Sequence, residues 1–130
     1  HVGTFCYMSP ELLVPGKKAK KTGTMKPDHL KKMAEWADVF SFGMILCEIA
    51  TRKGAEDDIP RTGTFGVDEK ELSKLVEEGC PDGLVELALE CCAVEPETRP
   101  LFATILQRID YILENNLVRR GGEKDKRGAG

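Results

Sequence analysis

One hundred and thirty residues, 41% of them hydrophobic and 32% charged, allow one domain with a modest core. The longest apolar run, Trp36 to Ala50, contains Asp38 and Glu48 and falls short of the ~20 residues needed to cross a bilayer. The net charge of −3 is uneven: seven Lys stand against two acids in residues 1–32, seven basic against eighteen acidic residues in 33–118, and five basic against two acidic in 119–130.

Residues 9–13 suit one helical turn, with Ser9 able to cap it and Pro10 at its first position. Val14 to Pro27 is rich in Lys, Gly and Thr, has no apolar periodicity and reads as an exposed loop. Leu30 to Thr51 reads as a helix. From Ala37 to Ala50 it is apolar nearly all round, which predicts a helix buried on every side. Gly43 inside it predicts a close helix crossing. Arg52-Lys53-Gly54 fits its end, with Gly54 as the stop.

Asp68 followed by Glu71 predicts a capped helix over Asp68 to Glu78. Asp82 can cap the next helix, whose stripe is Leu84, Leu87, Ala88 and Cys91. Val94 to Pro100 is a loop with two prolines. The last helix carries Phe102, Ile105, Leu106, Ile109, Ile112 and Leu113 on one face, and residues 119–130 read as a disordered basic tail. Five cysteines cannot all pair within one chain, and none has zinc-type spacing, so reduced, mostly buried thiols and no metal site are expected. No signal-peptide pattern is visible. A soluble, cytoplasmic, mainly α protein is the expectation.

Three segments carry a resemblance. Val2-Gly3-Thr4-Phe5-Cys6-Tyr7-Met8-Ser9-Pro10-Glu11 resembles the end of a protein-kinase activation segment, with Ser9 where the family has Ala. Asp38-Val39-Phe40-Ser41-Phe42-Gly43 resembles the kinase Asp-x-Trp/Phe-Ser-x-Gly element, and Pro96-Glu97-Thr98-Arg99-Pro100 the later Asp-Pro-x-x-Arg-Pro element. The three come in the family's order. Asp58-Ile59-Pro60-Arg61-Thr62 with Phe65-Gly66, Leu46-Cys47-Glu48-Ile49 and Cys91-Cys92 look like the LIM-domain kinase and testis-specific kinase group of the tyrosine-kinase-like branch. The Gly-rich loop, Val-Ala-Ile-Lys, His-Arg-Asp and Asp-Phe-Gly elements do not occur in the chain.

The resemblance implies the C-terminal, large-lobe portion of a kinase fold without the N-lobe and catalytic loop. Residues 1–118 would be a partial kinase domain with a Lys-rich insertion at about 14–32. Glu11 and Asp38 stand 27 positions apart, more than the family's usual spacing, and the Pro-Tyr-Trp usual in that group is missing before Tyr7. The resemblance further implies that Glu11 pairs with Arg99 to anchor the segment on which a protein substrate lies. A carboxylate in a bidentate guanidinium fork gives such a loop a fixed post. Asp38 would receive backbone hydrogen bonds from the catalytic loop and should be short of partners without it. Thr4, Tyr7 and Met8 would face the substrate.

No catalytic residue can be assigned. The parent kinase would use ATP and Mg to phosphorylate a protein hydroxyl on serine, threonine or, with dual specificity, tyrosine. This chain alone would bind neither ATP nor Mg. Two alternatives stand beside it: a pseudokinase scaffold, and a helical adaptor that binds an anionic partner through Lys17–Lys32. No aromatic residue interrupts Lys17–Lys32, which argues against a nucleic-acid stacking platform.

Overall fold

A computed structural model of the chain describes residues 5–13, 26–56 and 58–128, with side chains as far as residue 117 in the last helix. The elements are α1 (Pro10–Leu13), α2 (Pro27–Thr51), α3 (Glu69–Leu75), α4 (Leu84–Cys91), a 3₁₀ turn (Pro96–Thr98) and α5 (Phe102–Gly128). Extended backbone pairs once among the described residues, in an isolated antiparallel bridge between Arg61 and Val67. The fold is mainly α, as the kinase large-lobe resemblance implies.

The central element is α2. It starts at Pro27, three residues before the expected Leu30, because proline at the first helical position has no N–H to lose and a φ already suited to the helix. Val39, Phe40, Met44, Leu46, Cys47 and Ala50 of α2 are buried and join Leu84, Leu87, Ala88 and Cys91 of α4 in one core. Gly43 makes the crossing possible. A Cβ there would lie 2.6 Å from Cys92 Sγ and 2.7 Å from Cys91 Cβ.

The expectation that α2 is buried on every side is corrected. Ile45 is 44% and Ile49 57% exposed, and Asp38, on the same stripe by helical spacing, is exposed too. The described elements pack on one side of α2 and leave that stripe uncovered. The last helix repeats the pattern. Ile105 and Ile112 are buried and Ile109 partly so, whereas Leu106, Leu113 and Leu117 face solvent. Phe102 is 42% exposed and meets Phe42 edge-on at 6.3 Å.

Besides the start of α2, four helix ends differ from the sequence expectation. α2 stops because Arg52, not Gly54, takes the left-handed conformation (φ 57), and its N–H closes on Glu48 O at 2.7 Å. α3 has the expected cap, Asp68 Oδ1 accepting from Glu71 N at 3.1 Å, but ends at Leu75. Val76 turns extended so that Glu77 N can donate to Ala50 O at 3.0 Å, satisfying a carbonyl that the end of α2 leaves open. The N-cap position of α4 is Gly83 (φ 90) rather than Asp82. α5 runs on to Gly128 through the stretch expected to be disordered, since extending a formed helix needs no new nucleus.

Candidate functional site

Residues 5–9 form little regular structure, so their backbone carbonyls must find partners elsewhere. Two distant side chains, Ser41 and Arg61, provide them for Cys6, Tyr7 and Met8, and a third, Glu48, holds the Tyr7 side chain. Ser41 Oγ on α2 donates to Tyr7 O at 2.7 Å. Arg61, in the loop after α2, donates to Met8 O at 2.9 Å and Cys6 O at 3.3 Å, and its Nε donates to Phe65 O at 2.7 Å. Phe65 sits at φ 67, an uncommon conformation for a bulky residue. Glu48 fixes the Tyr7 ring: Tyr7 OH donates to Glu48 Oε1 at 2.8 Å, and Glu48 Oε2 accepts from Ala55 N at 3.0 Å.

The fourth post closes the segment. Arg99 follows the 3₁₀ turn, and its side chain is 0% exposed. Nη1 donates to Glu11 Oε2 at 2.8 Å and Nη2 to Glu11 Oε1 at 2.7 Å. Its remaining capacity goes to Trp36 O at 2.9 Å, Ala93 O at 2.8 Å and Val94 O at 3.3 Å. Five hydrogen bonds use the five donors of a guanidinium. The fully buried ring of Phe40 lies beneath both cations, 4.9 Å from the Arg61 Cζ and 5.0 Å from the Arg99 Cζ.

The electrostatics follow from these contacts. Burial by itself raises the Glu11 carboxyl, but the hydrogen bonds and charge of Arg99 outweigh it and hold the group below its ordinary value. The hydrogen bond to Glu48, with burial and the Glu48 charge, pushes Tyr7 up to about 12. Desolvation lowers Arg61 from its usual value. Burial raises Cys6, and burial with Glu90 pushes Cys91 up to about 12, so neither is an activated thiolate.

Of the residues singled out from sequence, Glu11 and Arg99 meet across 88 positions, and Tyr7 and Met8 lie in the moored segment. Thr4 lies outside the described residues. Asp38 is exposed on α2, and among the described residues no hydrogen bond or ion pair reaches its carboxylate. Lys17, Lys18, Lys20 and Lys21 lie outside the described residues, as does most of the expected Val14–Pro27 loop, while Lys26, Lys31 and Lys32 are exposed.

Sequence reasoning missed Ser41, Glu48 and Arg61 as mooring posts. All three lie inside the quoted kinase-like motifs, but no periodicity links them to Tyr7 or Met8. Ser9 also behaves differently. It ends the loop through its backbone oxygen, accepting from Leu12 N at 3.0 Å and Leu13 N at 3.3 Å. Its buried Oγ lacks a partner of hydrogen-bond geometry, although it stands near enough to Glu11 to favour the carboxylate slightly.

The described residues contain no cluster of His, Cys, Asp or Glu that could hold a metal ion. No helix among them is long and apolar enough to cross a membrane.

The profile of the protein tyrosine and serine/threonine kinase family matches residues 5–109. Human dual specificity testis-specific protein kinase 1 is 46% identical over 81 residues, 62% of this chain and 13% of that protein. Human dual specificity testis-specific protein kinase 2 is 39% identical over 94 residues, 72% of this chain and 16% of that protein. LIM domain kinase 1 of Drosophila melanogaster is 40% identical over 91 residues, covering 65% of this chain and 7% of that protein. The chain therefore spans a small part of each of these relatives. With a match that runs from the moored segment into α5, and relatives drawn from the very group its motifs resemble, the chain belongs to the protein tyrosine and serine/threonine kinase family.

Proposed function

We propose that this chain is the substrate-supporting part of a serine/threonine or dual-specificity protein kinase, whose complete domain transfers the γ-phosphoryl group of ATP to a protein hydroxyl in the cytoplasm. The observation that carries this reading is the bidentate Glu11–Arg99 pair, which fixes the end of a segment also held by Ser41, Glu48 and Arg61. Such a segment is a rigid ledge on which an extended peptide can lie. Positioning of that kind is a large share of what a kinase does for a reaction whose chemistry resides in nucleotide and metal.

On this reading residues 1–118 are a partial domain with a Lys-rich insertion at about 14–32. Thr4 helps select the acceptor hydroxyl. Tyr7 and Met8 wall the position after the acceptor. Asp38 awaits backbone donors from a catalytic loop. On this reading no nucleotide or magnesium site and no chemical step is assigned to these residues.

The test is to extend the chain upstream to a complete kinase domain and measure phosphorylation of a protein substrate with ATP and Mg. Transfer that falls sharply in Arg99→Ala, with the domain still folded by circular dichroism, supports the reading. A complete, folded domain that binds partners but transfers no phosphate refutes it in favour of a scaffold.

A further inference from the structure

A cavity of about 680 Å³ lies beside the moored segment and shares Glu11, Trp36 and Val94 with the contacts of Arg99. Pro10, Val94 and Pro96 give it apolar surface, and His29, Met33 and Trp36 of α2 form a wall. His29 meets Trp36 edge-on, with ring centroids 6.0 Å apart at 84°, which sets the position of the indole. One of these wall residues, His29, comes from the Lys-rich stretch at about 14–32, and Met33 directly follows it. The wall exists because α2 begins at Pro27 and so projects about three turns beyond Asp38.

Among the described residues, the charge bordering the cavity has one sign. Three carboxylates border it, those of Glu11, Glu95 and Glu97. Glu11 is neutralised by Arg99. Glu95 and Glu97 are exposed, and among the described residues no Lys or Arg pairs with either. No Lys or Arg of the described residues lines the cavity either, Lys31 and Lys32 included. An apolar, Trp-walled hollow with unpaired carboxylates at its margin suits a ligand with an apolar group beside a cation. The apolar group gains by leaving water, and the cation gains from the carboxylates and from the face of an indole.

We propose that this cavity is a docking site for a short basic segment of a partner protein, one that places an apolar side chain next to Arg or Lys. Size favours this occupant, since the volume lies within the range of pockets that enclose a small ligand or a few side chains. Charge complementarity favours it over an acidic segment, because the described residues bordering the cavity include the unpaired Glu95 and Glu97 and no Lys or Arg. The site does not depend on phosphoryl transfer, and it stands whether or not the complete protein is an active kinase.

Trp36 is the chain's single tryptophan, so its emission reports occupancy directly. The probe is a synthetic octapeptide alternating Leu and Arg, titrated into the 130-residue chain beside versions with Glu for Arg and Ser for Leu. The Leu/Arg peptide should change Trp36 emission saturably and protect it from acrylamide quenching, and neither control should. Glu95→Lys with Glu97→Lys should weaken binding about tenfold. Met33→Asp should do the same by placing a charge in the apolar wall. Since Glu95 and Glu97 are exposed, the double reversal leaves the core intact and serves as the decisive variant. Equal or tighter binding of the Leu/Glu peptide would overturn the proposal and point to the lysines of the insertion. So would a Trp36 emission indifferent to all three peptides, or Leu/Arg binding unchanged by the double reversal.

Discussion

Replacing Arg99 by Ala tests how much of the moored segment hangs on one side chain. The substitution removes five hydrogen bonds at once. It leaves the Glu11 carboxylate and three backbone carbonyls without their donor and the Phe40 ring without one of its two cations. Breaking a buried ion pair by deleting one partner costs about 3–5 kcal/mol. Here the Arg99 side chain is 0% and the Glu11 side chain 21% exposed, so water can reach the stranded carboxylate but not the space the guanidinium leaves. The expected loss is therefore near the low end, about 3 kcal/mol. Against a typical domain stability of about 5–15 kcal/mol, that is a large fraction.

Arg99→Lys should recover only part of it, because an ammonium has three donors and no planar fork to match Glu11. Urea unfolding followed by circular dichroism gives the stability, and hydrogen exchange of residues 6–13 reports the local effect. The acid limb supplies a second reading. Glu11 is held below its ordinary value in the folded chain, so the pair's contribution is fully present above the unfolded carboxyl pKa of about 4.3 and fades as pH falls through the folded value. Glu11→Gln should therefore flatten the stability–pH curve in that acidic window. An Arg99→Ala chain less than about 1 kcal/mol weaker, with unchanged exchange over residues 6–13, would refute the reasoning.

Gly43→Ala should destabilise the chain even though alanine is the better helix former. The gain of about 1 kcal/mol in propensity is outweighed by overpacking of about 1–3 kcal/mol against Cys91 and Cys92, and a rise in melting temperature would contradict the close crossing. Arg52→Gly should stabilise by roughly 0.5–1 kcal/mol, because glycine removes the left-handed strain at φ 57 and loses some of that gain to chain entropy; equilibrium unfolding checks it. Ser9→Ala, which restores the family's residue, should raise stability by about 1 kcal/mol by removing a buried, unpartnered hydroxyl, and a loss in urea midpoint would mean that the hydroxyl has a partner after all.

Where the cause is local, the signal in the sequence and the structure agree. Asp68 and Glu71 announce a cap, and the cap forms. The stripe Leu84, Leu87, Ala88 and Cys91 predicts the face of α4, and those four residues are buried. Gly43 predicts a close crossing, and only hydrogen fits there. Where a distant partner decides, periodicity misleads. The apolar run from Ala37 to Ala50 is uniform in composition, yet Ile45 and Ile49 are exposed because nothing among the described residues packs on their side. Likewise Glu77 leaves the expected helix to serve the end of α2. Glu11 and Arg99 were joined by family resemblance alone, since nothing in residue spacing links positions 88 apart. The same resemblance contained Ser41, Glu48 and Arg61 without revealing their work, because a motif names residues and geometry names their partners.

The mooring posts have a common foundation, and it lies in α2. Ser41 and Glu48 belong to that helix, Trp36 O accepts from Arg99, and both guanidinium groups rest on Phe40. Phe40 is fully buried, so each arginine gains a cation–π contact in a site where water competes little. The segment from Tyr7 to Glu11 is thus held by the buried side of α2, directly or through one intervening arginine. Its support does not pass through the exposed stripe of Asp38, Ile45 and Ile49. The ledge and that bare stripe are separate parts of one helix. With this division the moored segment keeps its place without any contact to the uncovered stripe. That separation is why loss of Arg99 should disturb residues 6–13 long before it disturbs Ile45 or Ile49.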